Sequence, residues 1–291
     1  MKMNDKCLPC LVNQVVKVAN MTHAKDREGL YSKVFRYLSE IDFKETNPEI
    51  IGETFKLLKE HIGNNDPYKE IRRFYNDLFV EKADSIRKRI EIEADAFETA
   101  IKYAIIGNII DFNPSHTITE QDMMKWFEKA NDLTLTINHM NHLKENIKTS
   151  KIMLYLGDNC GEICLDKLLL QQIKCINPEL NIYFGVRGTP VVNDSIEEDA
   201  YLVGINEYAQ IISNGDSSLG TVLHRTSKVF QDVYNSADIV ISKGQANYES
   251  LSEEKEKNIY YLLMTKCQVI ANDIGVEQNA LICLNSSQST E

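Results

Sequence analysis

The spacing of apolar residues along the chain changes at about residue 148. Before this point apolar residues recur every three or four positions, as over residues 30–38, which is typical of helices packed on one face. One such helix is expected to start near Thr46, with Pro48 in its first turn, and to end at Gly63. After residue 148, apolar runs of strand length alternate with helical stretches. That alternation predicts a parallel, doubly wound sheet.

The pattern therefore predicts an α/β protein with a helical domain over residues 1–148 and a Rossmann-like domain over residues 149–291. Helices are expected in the first domain at 11–19, 30–38, 46–62, 66–93, 97–110 and 117–131. Strands are expected in the second at 152–156, 182–186, 210–213, 238–242 and 260–264, with helices at 161–176, 194–203, 219–235 and 248–253. Two last apolar runs, 268–271 and 280–284, predict a hairpin at the C-terminal edge of this mainly parallel sheet.

The segment KIMLYLGDNCGE at residues 151–162 combines a strand, a tight turn and a helix start. Its apolar run stops at Gly157, Asp158 and Asn159 follow at once, and Gly161 opens the helical pattern. In open α/β sheets ligands bind beyond the carboxyl ends of the strands. Asp158 and Asn159 would place a charged and a neutral oxygen there for a hard cation. Alternatively, one of the two caps the next helix.

Polar clusters follow three further predicted strands. They are RGTPVVND at residues 187–194, NGDSS at 214–218 and KGQAN at 243–247. Turns also favour these residue types, so each cluster has a purely structural interpretation. If the strands are parallel, however, all the clusters meet in one cleft.

The chemistry of these clusters is complementary. Asp194 adds a second carboxylate to Asp158 and Asn159, which together suit a divalent cation with sites open for water and a substrate oxygen. Lys243 supplies a point charge for a phosphate, and Arg187 either adds a bidentate contact or forms a salt bridge at the rim.

An anion-binding turn is also expected. The turn at Gly215, Asp216 and Ser217 would aim backbone N–H groups at an anion, helped by the start of the helix predicted from residue 219. A metal, a cation and an anion site together favour phosphoryl transfer to water. GxGxxG and GxxxxGK[ST] motifs are absent from the sequence, which argues against a dinucleotide or P-loop site.

Composition narrows the class of protein. The formal net charge of −11 over 291 residues argues against a nucleic-acid-binding or anionic-membrane surface. No apolar run approaches the roughly 20 residues of a membrane span, and the N-terminus lacks the apolar region of a signal peptide. Seven scattered cysteines indicate reduced thiols, so a cytoplasmic protein is expected. Nothing in the pattern indicates an oligomeric state.

Two features of the first half have alternative interpretations. Cys7 and Cys10 form a CxxC that can share a metal or act as a redox pair. A structural zinc needs about four ligands, and His139 and His142 are more typical of an exposed helix edge, so a structural or incidental role is favoured. Asn108, in an otherwise apolar helix, is either a satisfied core amide or an amide that reaches a site.

Several of these motifs together resemble a known family. They are CLPC followed by Gln14, GNIIDF at residues 107–112, GDNCGE, TPVVND, the Gly-Asp-Ser turn and SKGQAN. Over nearly the whole chain the sequence is similar to the metal-dependent damage-control phosphatases, first catalogued as domain of unknown function 89. The N-terminal CxxC resembles that of the subfamily found mainly in prokaryotes.

The resemblance implies a helical domain on a Rossmann-like domain and hydrolysis of small phosphomonoesters, often damaged or side-product sugar phosphates, with Mg, Mn, Co or Ni. It implies a metal site at Asp158, Asn159 and Asp194. It also implies phosphate binding by Lys243 and Asn247, with Asn108 near the pocket. Cys160 departs from the residue often found after the Asp-Asn pair. Residues 225–228, RTSK, only loosely match the Arg-Thr-x-Lys motif of the eukaryotic subfamily.

A metal-dependent phosphatase is thus the main prediction, and two alternatives stay open. The first is an S-adenosylmethionine-dependent carboxyl methyltransferase, whose Gly-rich first loop is only partly present as Gly157 and Gly161. The second is a non-enzymatic protein that binds phosphometabolites without turnover. Both share the predicted sheet, so they differ from a phosphatase only in the chemistry of the cleft.

Overall fold

The computed structural model describes residues 1–107 and 133–288. Asn108 and the helix predicted over 117–131 lie outside the described residues. The described residues before position 108 form five α-helices, α1 (Leu8–Met21), α2 (Arg27–Leu38), α3 (Asn47–Ile62), α4 (Lys69–Glu91) and α5 (Ala96–Gly107). A 3₁₀ turn at Asp5–Cys7 leads into α1.

Helix α3 shows why the predicted boundaries of the first half hold. The Thr46 side chain accepts a hydrogen bond from the Glu49 amide, and the Glu49 carboxylate accepts one from the Thr46 amide at 2.7 Å. This reciprocal pair satisfies two amides that a helix start leaves without partners. At the other end Gly63 adopts φ +66°, a left-handed conformation that glycine takes without strain.

The second half alternates strands and helices as predicted. In chain order these are β1 (Ile137–Asn138), α6 (Met140–Thr149), β2 (Ile152–Leu156), α7 (Glu162–Ile176), β3 (Asn181–Val186), α8 (Glu197–Leu202), β4 (Gln210–Ser213), α9 (Lys228–Ser236), β5 (Ile239–Lys243), α10 (Gly244–Leu251), β6 (Ile259–Met264), α11 (Gln268–Ile274) and β7 (Leu281–Asn285). Each of the five predicted strands from β2 to β6 agrees within one residue at either end. Short β1 was not predicted.

The seven strands form one sheet in the order β1-β7-β6-β5-β2-β3-β4. All neighbouring pairs are parallel except β6 and β7. The chain runs outward from β2 through β3 to β4, and then returns to β5 on the other side of β2 and continues to β6. A crevice therefore opens between the carboxyl ends of β2 and β5, where ligands bind in doubly wound folds.

The predicted C-terminal hairpin is wrong in two respects. Residues 268–271 belong to helix α11, because a short apolar run such as QVIA fits a helix as well as a strand and Gly275 ends it at φ +83°. Strand β7 pairs antiparallel with β6, but it is not at the edge of the sheet. It lies between β6 and β1, so β1 forms the edge.

The helix predicted over residues 219–235 begins later than expected. Ser227 caps α9 by accepting a hydrogen bond from the Phe230 amide at 3.2 Å, and a 3₁₀ turn at Leu223–Arg225 precedes it. Residues 214–222 are therefore an irregular loop with bends at 218–220, and no α-helix starts next to the Gly-Asp-Ser turn. That removes the helix dipole from the predicted anion site.

The helical part of the chain packs directly on the sheet domain. A Cβ atom at Gly52 of α3 would lie 2.7 Å from the Ser218 Cα, and one at Gly107 of α5 would lie 3.0 Å from the Glu162 side chain. One apolar core joins α4, α5 and α6 to β2, β3 and α7. The division at residue 148 stays a prediction. Among the described residues, every helix is too short or too polar to traverse a lipid bilayer.

Candidate functional site

The crevice between β2 and β5 is bridged by Asn247 at the start of α10. Its amide nitrogen donates to the Gly157 carbonyl at 3.1 Å and to the Lys243 carbonyl at 2.7 Å. Its oxygen accepts a hydrogen bond from Thr221 at 2.8 Å. Asn247 thereby connects the ends of both strands to the loop at residues 214–222.

Two loops meet at this crevice and bring Asp158 and Asp194 together. Asn159 and Asp194 form an isolated antiparallel bridge, and the Ser195 amide donates to the Asp158 carbonyl at 2.8 Å. The Cys160 amide donates to the Asn193 carbonyl at 3.0 Å. Both aspartates are buried, with 5% and 2% of their surface exposed. The backbone pairing fixes the spacing of the two carboxylates.

Arg187 lies between these carboxylates, so it is central and not at the rim. Its Nε donates to Asp194 Oδ2 at 2.6 Å, and its Nη2 is 3.6 Å from Asp158 Oδ1. Within the described part of the chain, that Nη2 has no hydrogen-bond partner, although it is buried. A buried guanidinium with a free donor is costly unless a ligand or water completes it.

Burial and a neighbouring carboxylate both disfavour the ionised forms of the two aspartates, so their pKa values are raised. Burial raises the pKa of Asp158 well above its usual range, and the nearby charges of Asp194 and Glu162 raise it further. Burial also raises the pKa of Asp194, although contact with Arg187 opposes that change. One guanidinium is thus not enough to stabilise both carboxylates as anions.

Asn159 has its amide orientation fixed by its neighbours. Its nitrogen donates to Asp158 Oδ2 at 2.9 Å and to Glu162 Oε2 at 3.1 Å. Its oxygen accepts from Asn193 Nδ2 at 2.9 Å. Because a carbonyl oxygen has two lone pairs, the Asn159 oxygen keeps one for a cation.

Lys243 lies below this layer. Its ammonium contacts Glu162 Oε1 and Asp166 Oδ1, each at 2.6 Å, and all three side chains are fully buried. The Tyr155 hydroxyl donates to Asp166 Oδ1 at 2.7 Å. The ammonium therefore faces two carboxylates, and Glu162 connects it to Asn159.

Among the described residues, the buried charges of the crevice do not balance when every carboxylate is ionised. Four buried carboxylates then surround two buried cations, the members being Asp158, Glu162, Asp166, Asp194, Arg187 and Lys243. The excess of two negative charges within this set equals the charge of one divalent cation, and oxygen ligands suit hard cations. The residues present therefore fit a divalent metal. Over residues 1–107 and 133–288, no three His, Cys, Asp or Glu side chains form a metal cluster.

The predicted anion-binding turn has its first amides already engaged. Asn214 Oδ1 accepts from the Gly188 amide at 2.8 Å and from the Asp216 amide at 2.9 Å, and the Gly215 amide donates to Ser213. The Asp216 carboxylate lies 3.6 Å from Arg225. The turn still adjoins the aspartates, because the Gly220 amide hydrogen-bonds to the Asp194 carboxylate.

The CxxC lies at the start of α1, away from these carboxylates. Cys7 is buried and Cys10 is exposed. Burial raises the pKa of Cys7 to about 11, with a smaller contribution from Glu249. A thiol that stays protonated at neutral pH is a poor nucleophile and a poor metal ligand, which agrees with the structural role favoured by the sequence.

Sequence reasoning missed Glu162 and Asp166 as members of the site. Both lie on α7, four residues apart. Acidic residues on a helix usually belong to its solvent-exposed face, and the sequence of α7 did not distinguish these two from that case. The signal available was the spacing itself, since positions i and i+4 share one face of a helix and here flank buried Ile163 and Leu165.

A hydrogen-bond network from α4 holds both aspartate loops. Asn76 accepts from the Gly161 amide at 2.7 Å and donates to Asp199 Oδ1 at 2.8 Å. Asp199 Oδ2 accepts from the Ile196 amide at 3.0 Å and from Arg72 at 2.9 Å. The loop after β2 and the loop after β3 are thus braced from one helix.

Replacing Asn76 with Ala is expected to lower the free energy of unfolding by about 2 to 4 kcal/mol, because a buried amide and a buried carboxylate each lose a partner. Chemical denaturation followed by circular dichroism measures the change. Asp77→Ala on the same helix is the control, since it removes only an exposed ion pair with Arg73 and should cost about 0.5 kcal/mol. Equal stability of the two variants would contradict the brace.

Comparison with known proteins gives consistent results. The family model described as the damage-control phosphatase ARMT1-like domain matches residues 3–282. A damage-control phosphatase of Pyrococcus horikoshii is 31% identical, covering 98% of this chain and 99% of its own. One of Archaeoglobus fulgidus is 29% identical, covering 97% and 98%. A crystal structure of a DUF89 family protein from P. horikoshii has a TM-score of 0.92 at 30% identity, covering 98% of this chain and 99% of that one.

Proposed function

This chain belongs to the damage-control phosphatase ARMT1-like family, and from that membership we propose that it hydrolyses small phosphomonoesters with a divalent cation held by Asp158, Asn159 and Asp194. Mg, Mn, Co and Ni are the candidate ions. The observation that supports the proposal is the excess of two buried negative charges among the described residues of the crevice. A bound cation would supply Lewis-acid polarisation of the phosphoryl group.

Arg187 is the residue of this chain proposed to contact the phosphoryl group. Its Nη2 is buried, makes no hydrogen bond within the described residues and lies 3.6 Å from Asp158 Oδ1. A guanidinium held by Asp194 at 2.6 Å is already oriented, so binding a phosphate oxygen costs little side-chain entropy. It would neutralise charge that develops on the phosphoryl oxygens.

Lys243 is proposed to support the site through Glu162. The lysine holds Glu162 Oε1, and Glu162 Oε2 accepts from the Asn159 amide, so the chain of contacts sets the direction of the Asn159 oxygen. Direct phosphate contacts from the turn at Gly215, Asp216 and Ser217 and from Asn247 stay predictions. They would require exchange of hydrogen bonds that Asn247 and two of the turn amides make within the protein.

Removal of divalent metal should abolish activity. Dialysis against EDTA is expected to lower phosphate release from a simple ester by about 10³-fold, since the ion is proposed to supply several kcal/mol of transition-state stabilisation. Adding Mn²⁺ or Mg²⁺ should restore the rate, and EDTA preloaded with Ca²⁺ tests for effects of the chelator itself. Released phosphate is measured, with metal content determined by atomic emission.

Full turnover by protein whose metal content has fallen to background would contradict the metal site while leaving the phosphatase. Two other outcomes would contradict the phosphatase itself. Tight binding of S-adenosylmethionine in calorimetry with no phosphate release from any ester would favour the methyltransferase. Affinity for phosphate esters without turnover in any metal would favour a binding protein.

A further inference from the structure

A cavity of about 170 Å³ lies between the N-terminal helices and the two loops that reach Asp194. Helix α1 contributes four of its lining residues, α3 contributes three, and the loops contribute one each. They are Cys10, Leu11, Gln14, Val15, Ile51, Thr54, Phe55, Val192 and Leu219. The cavity is distinct from the carboxylate crevice, but the same loops form part of both.

The cavity is lined mainly by hydrocarbon. Its two polar side chains already have partners, since Gln14 Nε2 donates to the Tyr68 hydroxyl at 2.8 Å and Thr54 Oγ1 donates to the Ile50 carbonyl at 2.7 Å. Among the described residues that line it, none carries a charge. Such a surface favours a hydrocarbon group and gives little to the hydroxyls of a sugar.

Both loop residues of the cavity are close in sequence to groups at the aspartates. Val192 is followed by Asn193 and Asp194, and the Asn193 side chain donates a hydrogen bond to the Asn159 oxygen. Leu219 precedes Gly220, whose amide hydrogen-bonds to the Asp194 carboxylate. The Leu219 amide donates to the Pro48 carbonyl at 3.2 Å, which fixes this wall against α3. The cavity and the aspartates therefore share two loops, one carrying Val192 and Asp194 and the other carrying Leu219 and Gly220.

The backbone conformation of Val192 is consistent with a ligand-binding role for this side of the cavity. Val192 has φ +46°, in the left-handed region that β-branched residues rarely adopt. Strain of this kind persists where surrounding structure imposes it, and it concentrates at ligand sites. Here it places a valine, not a glycine, between the cavity and the aspartate loop.

We propose that this cavity binds an apolar, ring-sized part of the organic group of the phosphomonoester. The substrate class would then be phosphate esters with a hydrocarbon moiety near the phosphate, in preference to fully hydroxylated sugar phosphates. A cavity of about 150 Å³ lined by Leu, Ile and Phe holds benzene, so the volume suits one ring or a short branched chain. The inference rests on the proposed phosphatase function.

A series of esters tests the preference. We expect kcat/KM to rise about fourfold per methylene from methyl to butyl phosphate, which is the gain from burying one CH₂ group. Phenyl phosphate should exceed glucose 6-phosphate by about 10²-fold on the same basis. A flat series, or a preference for the sugar ester, would overturn the inference while leaving the phosphatase intact.

A matched pair of variants tests the location. Cys10 is exposed yet lines the cavity, so Cys10→Phe fills its mouth without disturbing the core. We expect KM for phenyl phosphate to rise about tenfold, from the loss of roughly two methylenes of burial, with methyl phosphate unaffected. Asn13→Phe, at an exposed position of α1 outside the cavity, should change neither ester.

Binding without turnover separates the two hypotheses. Calorimetry should show that phenylphosphonate binds about 10²-fold more tightly than methylphosphonate, and that Cys10→Phe lowers this ratio about tenfold. If no ester is hydrolysed under any metal, the phosphatase proposal fails. If esters are hydrolysed but Cys10→Phe and Asn13→Phe behave alike with both phosphonates, the cavity proposal fails.

Discussion

Replacing Asp194 with Asn is expected to lower kcat/KM for a phosphomonoester by about 10³-fold or more while the protein stays folded. The substitution keeps the shape of the side chain but removes one of the two excess negative charges of the crevice. With that charge gone, a divalent cation loses an anionic ligand. Initial rates at saturating Mn²⁺, together with metal content by atomic emission, measure the loss.

Asp238→Asn provides the matched control for Asp194→Asn. Asp238 precedes β5 at the opposite end of the sheet, where its carboxylate accepts from the Lys151 and Ile152 amides at 2.7 and 2.9 Å. An asparagine oxygen can accept both hydrogen bonds, so activity should be unchanged. Asp194→Asn with wild-type metal content and a rate within a few-fold of wild type would rule out the proposed metal site.

Replacing Lys243 with Met is expected to cost about 3 to 5 kcal/mol of unfolding free energy, the range measured when one partner of a buried ion pair is removed. The change leaves Glu162 and Asp166 fully buried with their shared cation gone. Urea denaturation followed by circular dichroism gives the difference. Adding Asp166→Asn should recover part of the loss, because one of the two uncompensated carboxylates is then neutral.

Lys228→Met is the control for this second prediction. Lys228 pairs with Asp232 at 2.7 Å, but both side chains are more than half exposed, so the cost should stay below about 1 kcal/mol. A lysine whose main task is to bind the substrate phosphate would behave differently. Lys243→Met would then retain wild-type stability and lose only activity, and that result would contradict the supporting role proposed here.

The sheet, and the meeting of the loops at the carboxyl ends of its strands, could be predicted because each strand is marked by a few consecutive residues in the sequence. Each strand from β2 to β5 is a short apolar run with a polar cluster at its carboxyl end, and parallel strands align their carboxyl ends. Asp158 and Asp194 were therefore expected in one cleft. The start of α9 was less predictable, since the apolar residues at 219–223 continue its pattern and only the cap at Ser227 marks the boundary.

The pairing of Lys243 was beyond a sequence argument. Its two partners precede it by 81 and 77 residues, and the polar residues between them carry no mark of which pairs will be buried. A lysine at the carboxyl end of a strand is equally suited to a phosphate or to a neighbouring carboxylate. The packing of α7 decides between the two, because it places Glu162 and Asp166 against the Lys243 ammonium.

The position of β7 between β6 and β1 has a consequence for synthesis. Strand β1 is made early, at residues 137–138, but its sheet neighbour is the segment 281–285. On the ribosome, the inner strands can associate as soon as β6 has emerged, whereas β1 must wait for nearly the whole chain. The polypeptide therefore closes its sheet with its last strand, and nascent chains halted before that strand would keep an unpaired β6 edge open to aggregation.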